Sequence, residues 1–305
     1  MSAAALAGLL ADPRVARALA ALDGDGEETR IVGGAVRNAL IGRPFTDVDM
    51  ATTATPDIIV ARAKKAGLKS VPTGYEHGTV TVVVAGRPFE VTSLREDVET
   101  DGRRAKVRFG RDFDADARRR DFTINSMSLA RDGVLHDPLG GRADLARRRV
   151  RFIGDARTRI AEDYLRILRF FRFHAAYGEG PLDADGLSAA ISLRQGLAHL
   201  SAERVRAEIL KLLAAPRGPE VAREAADAGL LEIACAGVLY SSQLDRLAAI
   251  ECARSVEADA VLRLCAFAVA VVEDADRLRE TLRLSNVEHR RLAAAAGALV
   301  RAHGR

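Results

Sequence analysis

The hydrophobic pattern changes at about residue 155, and this change limits the folds that the chain can adopt. Before this point, short β-branched runs alternate with helical segments and glycine-rich turns. After it, the long segments place apolar residues at helical spacing, and no segment of clear strand character follows. The sequence therefore predicts an α+β fold, with a mixed β-sheet in the first part and an all-helical second part.

Several local elements can be predicted in the first part. "TRIVGG" predicts a short strand that ends in glycines, and "AVRNALIG" predicts a helix closed by Gly42. The clearest element is a β-hairpin with strands at 79–84 and 88–93 around a glycine-containing turn. We expect residues 95–118, which are charged and aperiodic, to form a mobile loop. The alanine-rich residues 1–25 predict one amphipathic helix rather than a signal peptide, because no basic segment precedes them.

Two aspartates interrupt an apolar stretch in "FTDVDM". Asp47 and Asp49 are two residues apart, so in a strand both side chains project from the same face. Two adjacent carboxylates repel each other unless a cation lies between them. A third acid, Glu90, occupies the second strand of the predicted hairpin, on the face opposite Phe89 and Val91. If that strand lies beside the one with the aspartates, three carboxylates converge and offer oxygen ligands to Mg²⁺.

A glycine pair joins a predicted strand to a predicted helix. Gly33 and Gly34 would let the backbone approach a phosphate, and amides at the helix start can bind its oxygens. Arg37, one turn into the helix, can add charge-assisted hydrogen bonds. Taken alone, a tight turn explains the glycine pair equally well. Together with Mg²⁺-binding carboxylates, the pair favours a site for a nucleoside triphosphate.

The positive charge of the chain is unevenly distributed. The formal net charge is +4, but the stretch from Arg142 to Arg172 contains ten arginines and four acids. This excess favours a polyanionic partner, and the alternative is a general preference for arginine over lysine. Three unclustered cysteines, Cys235, Cys252 and Cys265, indicate thiols in a reducing compartment. No apolar run is long enough to cross a membrane, so we expect a cytoplasmic protein.

Seven motifs resemble, in order, those of the class II CCA-adding enzymes, which are tRNA nucleotidyltransferases of the polymerase-β-like superfamily. The matching segments are "GGAVRNAL", "TDVDMAT", "GYEHGTVTVVV", "DGRRAKVRFG", "RRRDFTINSM", "DPLGGRADL" and "AEDYLRILRFFRF". They run from about Ile31 to Ala215. The resemblance implies a polymerase-β-like nucleotidyltransferase head at 26–140, a base-selecting neck at 141–215 and a helical body at 216–305.

The resemblance also implies roles for individual residues of the head. Asp47 and Asp49 would bind two Mg²⁺ ions, and Glu90 would be the third catalytic carboxylate. The sugar and triphosphate would be bound by the glycine turn, its helix and the "RRRDFTIN" motif, through Gly33, Gly34, Arg37, Arg119, Arg120, Asp121 and Asn125. A helix N-terminus capped by Thr123 is the structural alternative for that motif, and both can hold.

The segment "AEDYLRILRF" matches the family's amino-acid template for base selection. On one continuous helix, Glu162 and Arg166 would be i, i+4, and Asp163, Arg166 and Arg169 would follow at i+3 steps. Cytosine and adenine present an amino donor beside a ring-nitrogen acceptor, and guanine and uracil present the reverse. Asp163 beside Arg166 therefore matches C and A, and leaves unpaired polar groups against G and U. The alternative is a set of ordinary intrahelical salt bridges.

Other positions extend or weaken the resemblance. Arg103 lies in a segment that resembles the flexible loop tied to the switch from CTP to ATP, and its presence favours full CCA addition. Glu203 and Arg204 match supports of the template helix, with a capping box from Ser201 as the alternative. Asn38 stands where the family has an aspartate. Family members commonly continue beyond a body of this length, so we expect either a truncated chain or a reduced grip on tRNA.

The expected function is Mg²⁺-dependent addition of CCA to tRNA from CTP and ATP, by a monomer with no membrane partner. Two alternatives lie in the same family: an A-adding enzyme and a bacterial poly(A) polymerase. The poly(A) branch typically carries a basic segment where this chain has "PTGYEHGTVTVV". Two lie outside it: a non-catalytic RNA-binding module, which the clustered acids disfavour, and a metal-dependent phosphohydrolase, which the dispersed histidines disfavour.

Overall fold

The computed structural model describes residues 3–45, 47–96 and 108–303. The chain divides into two compact units, Met1–Arg147 and Arg148–Arg305. Among the described residues, all strands belong to the first unit, and the second is built from helices. The predicted change from a mixed to an all-helical organisation is therefore confirmed.

A mixed sheet forms the centre of the first unit. The strands of its described residues are β1 Thr29–Val32, β2 Asp49–Thr52, β3 Lys69–Gly74, β4 Thr79–Val84, β5 Arg87–Ser93, β6 Arg95–Glu96, β7 Arg108–Phe109, β8 Ser128–Ala130 and β9 Leu135–His136. Seven of them form one sheet in the order β3-β4-β5-β2-β1-β8-β9, and β6 pairs with β7. β2 and β5 are parallel, and the other neighbouring pairs are antiparallel.

The predicted hairpin is formed by β4 and β5. Every second residue of β4 faces the core, as expected for a half-buried strand: Val80, Val82 and Val84 are each at most 1% exposed. The two turn residues, Ala85 and Gly86, both have positive φ, 48° and 79°. A turn of this hand matches the right-handed twist of the flanking strands, so the hairpin closes with only two turn residues.

Six helices accompany the sheet among the described residues of the first unit. They are α1 Ala3–Ala11, α2 Pro13–Leu22, α3 Gly34–Leu40, α4 Pro56–Lys65, α5 Phe113–Arg119 and α6 Gly141–Ala146. The N-terminal segment forms two helices and not the single helix predicted. Pro13 opens α2 and Asp12 caps it by accepting from the Arg14 amide at 2.8 Å, and both features favour a new helix start.

The loop predicted for residues 95–118 is also corrected. Its last part forms α5, whose N-cap Asp112 accepts from the amides of Asp114 and Ala115 at 2.8 and 3.1 Å. Phe113 belongs to a buried cluster with Val32, Ala51 and Leu94. Two apolar positions suffice to dock a helix as short as α5. They could not be recognised in the sequence because the residues around them are mostly charged. Arg103, predicted for the nucleotide switch, lies outside the described residues.

Ten helices make up the described part of the second unit. They are α7 Ala156–Glu162, α8 Leu165–Tyr177, α9 Ala184–Ser192, α10 Ala202–Ala214, α11 Gly218–Asp227, α12 Leu231–Cys235, α13 Ser241–Arg254, α14 Ala260–Ala268, α15 Val272–Leu282 and α16 Asn286–His303. As expected from its composition, α8 is largely buried, with Ile167, Phe170 and Phe171 at 0% exposure. Across the described ranges, none of the helices combines the length and apolar character that crossing a bilayer requires.

Candidate active site

The aspartates predicted to bind metal lie where β2 begins. Asp47 and Asp49 are exposed, while Val48 between them is 2% exposed and packs inward. The two carboxylates therefore project to the same side, as the i, i+2 spacing predicts. Burial of Val48 fixes this choice of face, because a shift by one residue would expose the valine and bury both acids.

Glu90 lies on the neighbouring strand, as the metal-site hypothesis required. β2 and β5 run parallel with Met50 opposite Val91, so Glu90 is the register neighbour of Asp49 one residue earlier. Phe89 and Val91 are both 0% exposed, whereas Glu90 faces solvent. The acid in the middle of this strand thus belongs to the same sheet face as the aspartates.

The electrostatics of Asp49 show that four charged groups share this site. Water reaches the Asp49 carboxylate, yet protein atoms displace much of the bulk solvent around it, and this desolvation is the main cause that raises its pKa. The negative charges of Glu90 and Asp47 raise the same pKa further, and the positive charge of Arg120 lowers it. The cluster holds three acids against one arginine, a setting that favours a divalent cation.

The residues fit a Mg²⁺ site of the kind that shares its ion with a substrate. Within the described residues, no group of three or more His, Cys, Asp or Glu side chains could hold a metal ion by itself. Mg²⁺ does not need such a group, because one or two carboxylates with waters and substrate phosphates complete its octahedron. Asp47 and Asp49 could supply these carboxylates. Glu90 is near enough to act on the charge of Asp49 but does not complete a three-acid cluster.

The glycine turn brings an arginine against the backbone. Gly33, between β1 and α3, has φ 68° and ψ −119°, a conformation that essentially only glycine adopts. A Cβ at this position would lie 2.9 Å from Arg120 Nη1. The Gly33 amide donates to the Met127 carbonyl at 3.1 Å. That amide is therefore engaged with the backbone, and the absence of a side chain at Gly33 makes room for the Arg120 guanidinium.

One acid orients both arginines of the predicted triphosphate motif. Arg120 donates through Nε and Nη2 to Asp116 Oδ2 at 3.2 and 3.0 Å. Arg119 lies 3.7 Å from Asp116 and donates to the Arg95 carbonyl at 2.6 Å. Asp116 was not predicted from the sequence, although its i, i+4 spacing from Arg120 is the signal that would have indicated it.

Three residues predicted to bind the nucleotide form a buried network. Arg37, Asn125 and Asp121 are 6%, 7% and 8% exposed. Arg37 Nη1 donates to Asn125 Oδ1, and Asn125 Nδ2 donates to Asp121 Oδ1 at 2.9 Å. Asp121 Oδ1 also accepts from the Phe122 amide at 2.8 Å. A Cβ on Gly34 would lie 3.6 Å from Arg37 Nη2, so this network adjoins the glycine turn.

Asn38 uses both ends of its side-chain amide. Its Oδ1 accepts from Arg37 Nε and Nη2 at 3.1 and 2.9 Å, and its Nδ2 donates to the Pro44 carbonyl at 3.1 Å. Its main-chain oxygen accepts from the Arg43 amide at 2.9 Å. The aspartate expected from the resemblance could not donate to Pro44. The asparagine thus ties the turn that leads to Asp47 to the buried Arg37.

The segment predicted to select the base, in the second unit, is not one helix, contrary to the prediction. α7 ends at Glu162, Asp163 has extended backbone with φ −156° and ψ 105°, and α8 begins at Leu165. Asp163 Oδ1 accepts from the Leu165 amide at 3.1 Å, so the aspartate starts a new helix instead of continuing the first. The predicted i+3 series from Asp163 is therefore wrong. The predicted Glu162–Arg166 pair does form, at 2.5 Å.

Asp163 and Arg166 are each held by other residues of the second unit. Asp163 Oδ2 accepts from Arg204 Nη2 at 2.6 Å. Arg166 Nη1 donates to the Arg159 carbonyl at 2.7 Å in addition to its pairing with Glu162. Arg204, matched to a support of this segment, thus contacts it directly. Ser201 makes no side-chain hydrogen bond at the start of α10, so the capping box is not formed there.

A buried acid links α8 to α10. Glu208, 5% exposed, lies 3.7 Å from Arg169 and accepts from Arg172. Both guanidinium groups also lie over the Phe173 ring, at 5.2 and 4.1 Å from its centroid. Glu208 was not predicted from the sequence, where its signal was an acid among the apolar residues of "AEILKLL".

The arginine-rich stretch is partly neutralised by acids from outside it. In the second unit, Arg148 lies 3.2 Å from Glu179, and Arg149 lies 2.6 Å from Asp183. These two arginine side chains still keep 65% and 54% of their exposure. The local excess of positive charge is therefore smaller than the sequence count indicates, while guanidinium groups remain at the surface.

Two family models match the chain. Residues 29–151 match a model described as the Poly A polymerase head domain. Residues 182–235 match one described as a probable RNA and SrmB-binding site of polymerase A. The first match contains all the acids and arginines of the first-unit site, and the second contains Arg204 and Glu208.

Curated relatives match about two thirds of the chain. CCA tRNA nucleotidyltransferase 1, mitochondrial, of Danio rerio is 49% identical over 189 residues, which cover 61% of this chain and 44% of that protein. The CCA-adding enzyme of Geobacillus thermodenitrificans is 40% identical over 211 residues, which cover 68% of this chain and 51% of that protein. The chain spans about half the length of the curated relatives it matches.

Solved structures share the fold over nearly the whole chain. The crystal structure of the Bacillus stearothermophilus CCA-adding enzyme in complex with CTP has a TM-score of 0.72 and 30% identity, and the match covers 94% of this chain and 69% of that one. The Thermotoga maritima CCA-adding enzyme complexed with tRNA has a TM-score of 0.74 at 21% identity, which shows the fold alone.

Proposed function

Because the chain belongs to the family of class II CCA-adding enzymes, we propose that it adds CCA to tRNA 3′ ends from CTP and ATP without a nucleic-acid template. The observation that carries this proposal is the position of Asp47, Asp49 and Glu90 on one sheet face within electrostatic reach of Arg120. This arrangement joins metal-binding carboxylates to a cationic group suited to a triphosphate.

Asp47 and Asp49 would hold Mg²⁺, with two ions expected for nucleotidyl transfer. Mg²⁺ bound there would act as a Lewis acid on the attacking hydroxyl and on the leaving pyrophosphate. The aspartates contribute fixed, same-side oxygen donors, because the buried Val48 sets their directions. Glu90 would help to activate the tRNA 3′-hydroxyl by accepting its proton.

Arg119 and Arg120 would bind the triphosphate, supported by Asp116. Gly33 and Gly34 would let the nucleotide sugar and phosphates approach the backbone. Three predicted residues would support the site without direct contact with the nucleotide, because they are buried and hydrogen-bonded to one another: Arg37, Asp121 and Asn125. They would keep the glycine turn and its helix rigid while the nucleotide binds.

Asp163 and Arg166 would select the incoming base. Asp163 would accept from the amino group of C or A, and Arg166 would donate to the ring nitrogen. Their partners Arg204 and Glu162 support this role, because a side chain held at a fixed angle discriminates better than a free one. Arg169, one turn further along α8, would complete the nucleotide-binding set.

The partner would be tRNA, bound by a monomer. The exposed guanidinium groups of Arg148 and Arg149 would help to seat the acceptor stem, which gives binding that weakens with salt. Arg103 would take part in the switch from CTP to ATP, so that the third nucleotide is adenosine. Three free thiols, two of them buried, support a reducing compartment such as the cytoplasm.

The test is extension of a tRNA transcript that lacks its CCA end, with CTP alone, ATP alone and both. Two additions with CTP and a third only with ATP present would support the proposal. Long adenosine tails would indicate a poly(A) polymerase, and ATP addition only to a transcript ending in CC would indicate an A-adding enzyme. A double variant, Asp47→Ala with Asp49→Ala, serves as the catalytic control. No incorporation by the intact chain under any condition would refute the proposed activity.

A further inference from the structure

The ring of Tyr164 lies directly on Gly196. Tyr164 stands between α7 and α8, at the break that follows Asp163. Gly196 belongs to the 3₁₀ turn Arg194–His199. A Cβ on Gly196 would lie 2.0 Å from Tyr164 Cδ1 and 2.3 Å from both Cγ and Cε1. No side chain can occupy that position while the ring stays where it is.

This contact acts on the residue next to the ring. Asp163 is fixed on two sides, by Arg204 at 2.6 Å and by the Leu165 amide at 3.1 Å. Its backbone is extended between two helices, so its side-chain direction depends on these contacts. Tyr164 is the next residue in the chain. Because its ring packs on Gly196, this contact also restrains the peptide between Asp163 and Tyr164.

We propose that Gly196 is a specificity-positioning residue, which sets the orientation of Asp163 through the ring of Tyr164. The inference rests on the proposed function, because it assigns to Asp163 the reading of the base amino group. Gly196 itself touches no substrate. Gly196 contributes by having no side chain, because the Tyr164 ring can then pack against its backbone and fix the conformation of the chain between α7 and α8.

The physical case depends on the stiffness of the parts. The Tyr164 ring cannot yield by bending, and a methyl group at position 196 must displace the ring or the 3₁₀ turn by more than 1 Å to restore ordinary contact. Displacements of about this size in a positioning element cost roughly a hundredfold in catalysis. Discrimination between bases depends on two adjacent hydrogen bonds, so it is sensitive to the angle of Asp163.

The experiment compares Gly196→Ala, Tyr164→Ala and the double variant with the wild-type chain. The readouts are kcat/KM for CTP and for UTP on a transcript lacking CCA, equilibrium binding of CTP and UTP, and the thermal unfolding midpoint. We expect Gly196→Ala to lower the preference for CTP over UTP by about tenfold. In the double variant the clash is gone, so its preference should equal that of Tyr164→Ala alone.

The matched control is Gly297→Ala in α16 of the same unit, where the nearest atom to a new Cβ is Arg301 Nη1 at 3.4 Å. It should keep the wild-type preference. An unchanged CTP preference in Gly196→Ala overturns the inference, whether or not the unfolding midpoint falls, because a merely structural glycine alters stability alone. Additive losses in the double variant also overturn it. A wild-type chain that neither binds CTP nor extends the transcript refutes the proposed function itself, and the inference then falls with it.

Discussion

Asp49 in the first unit and Asp163 in the second lie in opposite electrostatic surroundings. The pKa of Asp49 is raised by desolvation and by two neighbouring acids, with one arginine acting against them. Asp163 has a 2.6 Å ion pair with Arg204 and a hydrogen bond from a backbone amide. Asp49 therefore lies in an excess of negative charge, whereas the charge of Asp163 is balanced by Arg204.

The difference follows from what each carboxylate is proposed to contact. A metal ion is attracted by an excess of negative charge, so other acids lie close to a carboxylate that binds it. A base offers only weak dipoles, so a carboxylate that reads it must be fixed in angle by neighbouring groups. In the proposed function, the first unit thus uses an aspartate for its charge, and the second uses an aspartate for the fixed direction of its oxygens.

The strongest test of this contrast replaces one acid from each unit. Asp49→Ala should lower incorporation of every nucleotide by about 10³-fold or more, because several kcal/mol of transition-state stabilisation are lost. Asp163→Ala should lower the rate far less and reduce the preference for C and A. Single-turnover assays with CTP, ATP, UTP and GTP measure both effects. Equal losses for all four nucleotides in both variants would contradict the contrast.

The glycine turn provides the second test. Gly33→Ala should lower kcat/KM for CTP by about 100-fold, because φ of 68° and a contact of 2.9 Å to Arg120 both exclude a methyl group. Gly8→Ala in α1, where a new Cβ meets no atom within 4 Å, is the matched control. Wild-type kinetics in Gly33→Ala would show that the close contact of Arg120 with the Gly33 backbone is not required for activity.

The partner of Asp163 provides a smaller effect. Arg204→Ala should lower the preference for CTP over UTP by about two- to fivefold, the range for a partly exposed ion pair. Arg206→Ala is the control, because Arg206 lies on the same helix but bonds to the Arg283 carbonyl and lies near Glu288. Steady-state kinetics with both nucleotides give the ratio. Equal ratios in the two variants would remove Arg204 from base selection.

The smallest expected effect concerns stability and pH. Because the pKa of Asp49 is raised above its ordinary value of 3.8, the folded protein binds its proton more tightly than the unfolded chain does. Its ionisation therefore lowers stability as the pH rises from 3.8 through the raised pKa, and the loss persists at neutral pH. Asp49→Asn should raise the unfolding midpoint at pH 7 and reduce its increase on adding Mg²⁺.

The control for this prediction is Asp132→Asn, in which the side-chain oxygen can still accept from the Val134 amide. Differential scanning calorimetry at pH 7 with and without Mg²⁺ measures both changes. A lower midpoint in Asp49→Asn, or an undiminished response to Mg²⁺, would show that the carboxylate is not held at an energetic cost.

The sequence was sufficient for the parts of the fold that depend on local alternation. The hairpin was predicted because Val80, Val82 and Val84 recur at every second residue. The shared face of Asp47 and Asp49 followed from the same period. The pairing of β2 with β5 could not be predicted in this way, because the two strands are parallel and far apart in the chain.

The features that were missed depend on tertiary contacts. The break at Asp163 could not be predicted because "AEDYLRIL" satisfies helical spacing, and the residues that contact the break, Arg204 and Gly196, lie far from it in the chain. Burial of Arg37 was missed for a similar reason. A charged side chain is normally assigned to the surface, and the hydrogen bonds to Asn125 and Asn38 make the burial of Arg37 acceptable.

The pairing of β1 with β8 has a consequence for how the chain acquires its site. Val32 lies opposite Ser128, about 100 residues later, while β4 and β5 are joined by two residues. Closing so large a loop is entropically unfavourable, so we expect the hairpin to form early and β8 to join the sheet late. Arg120 and Asn125 come just before β8, so we expect them to reach the glycine turn only when β8 joins the sheet. We therefore expect a nascent chain to lack the proposed nucleotide site until most of the first unit has left the ribosome.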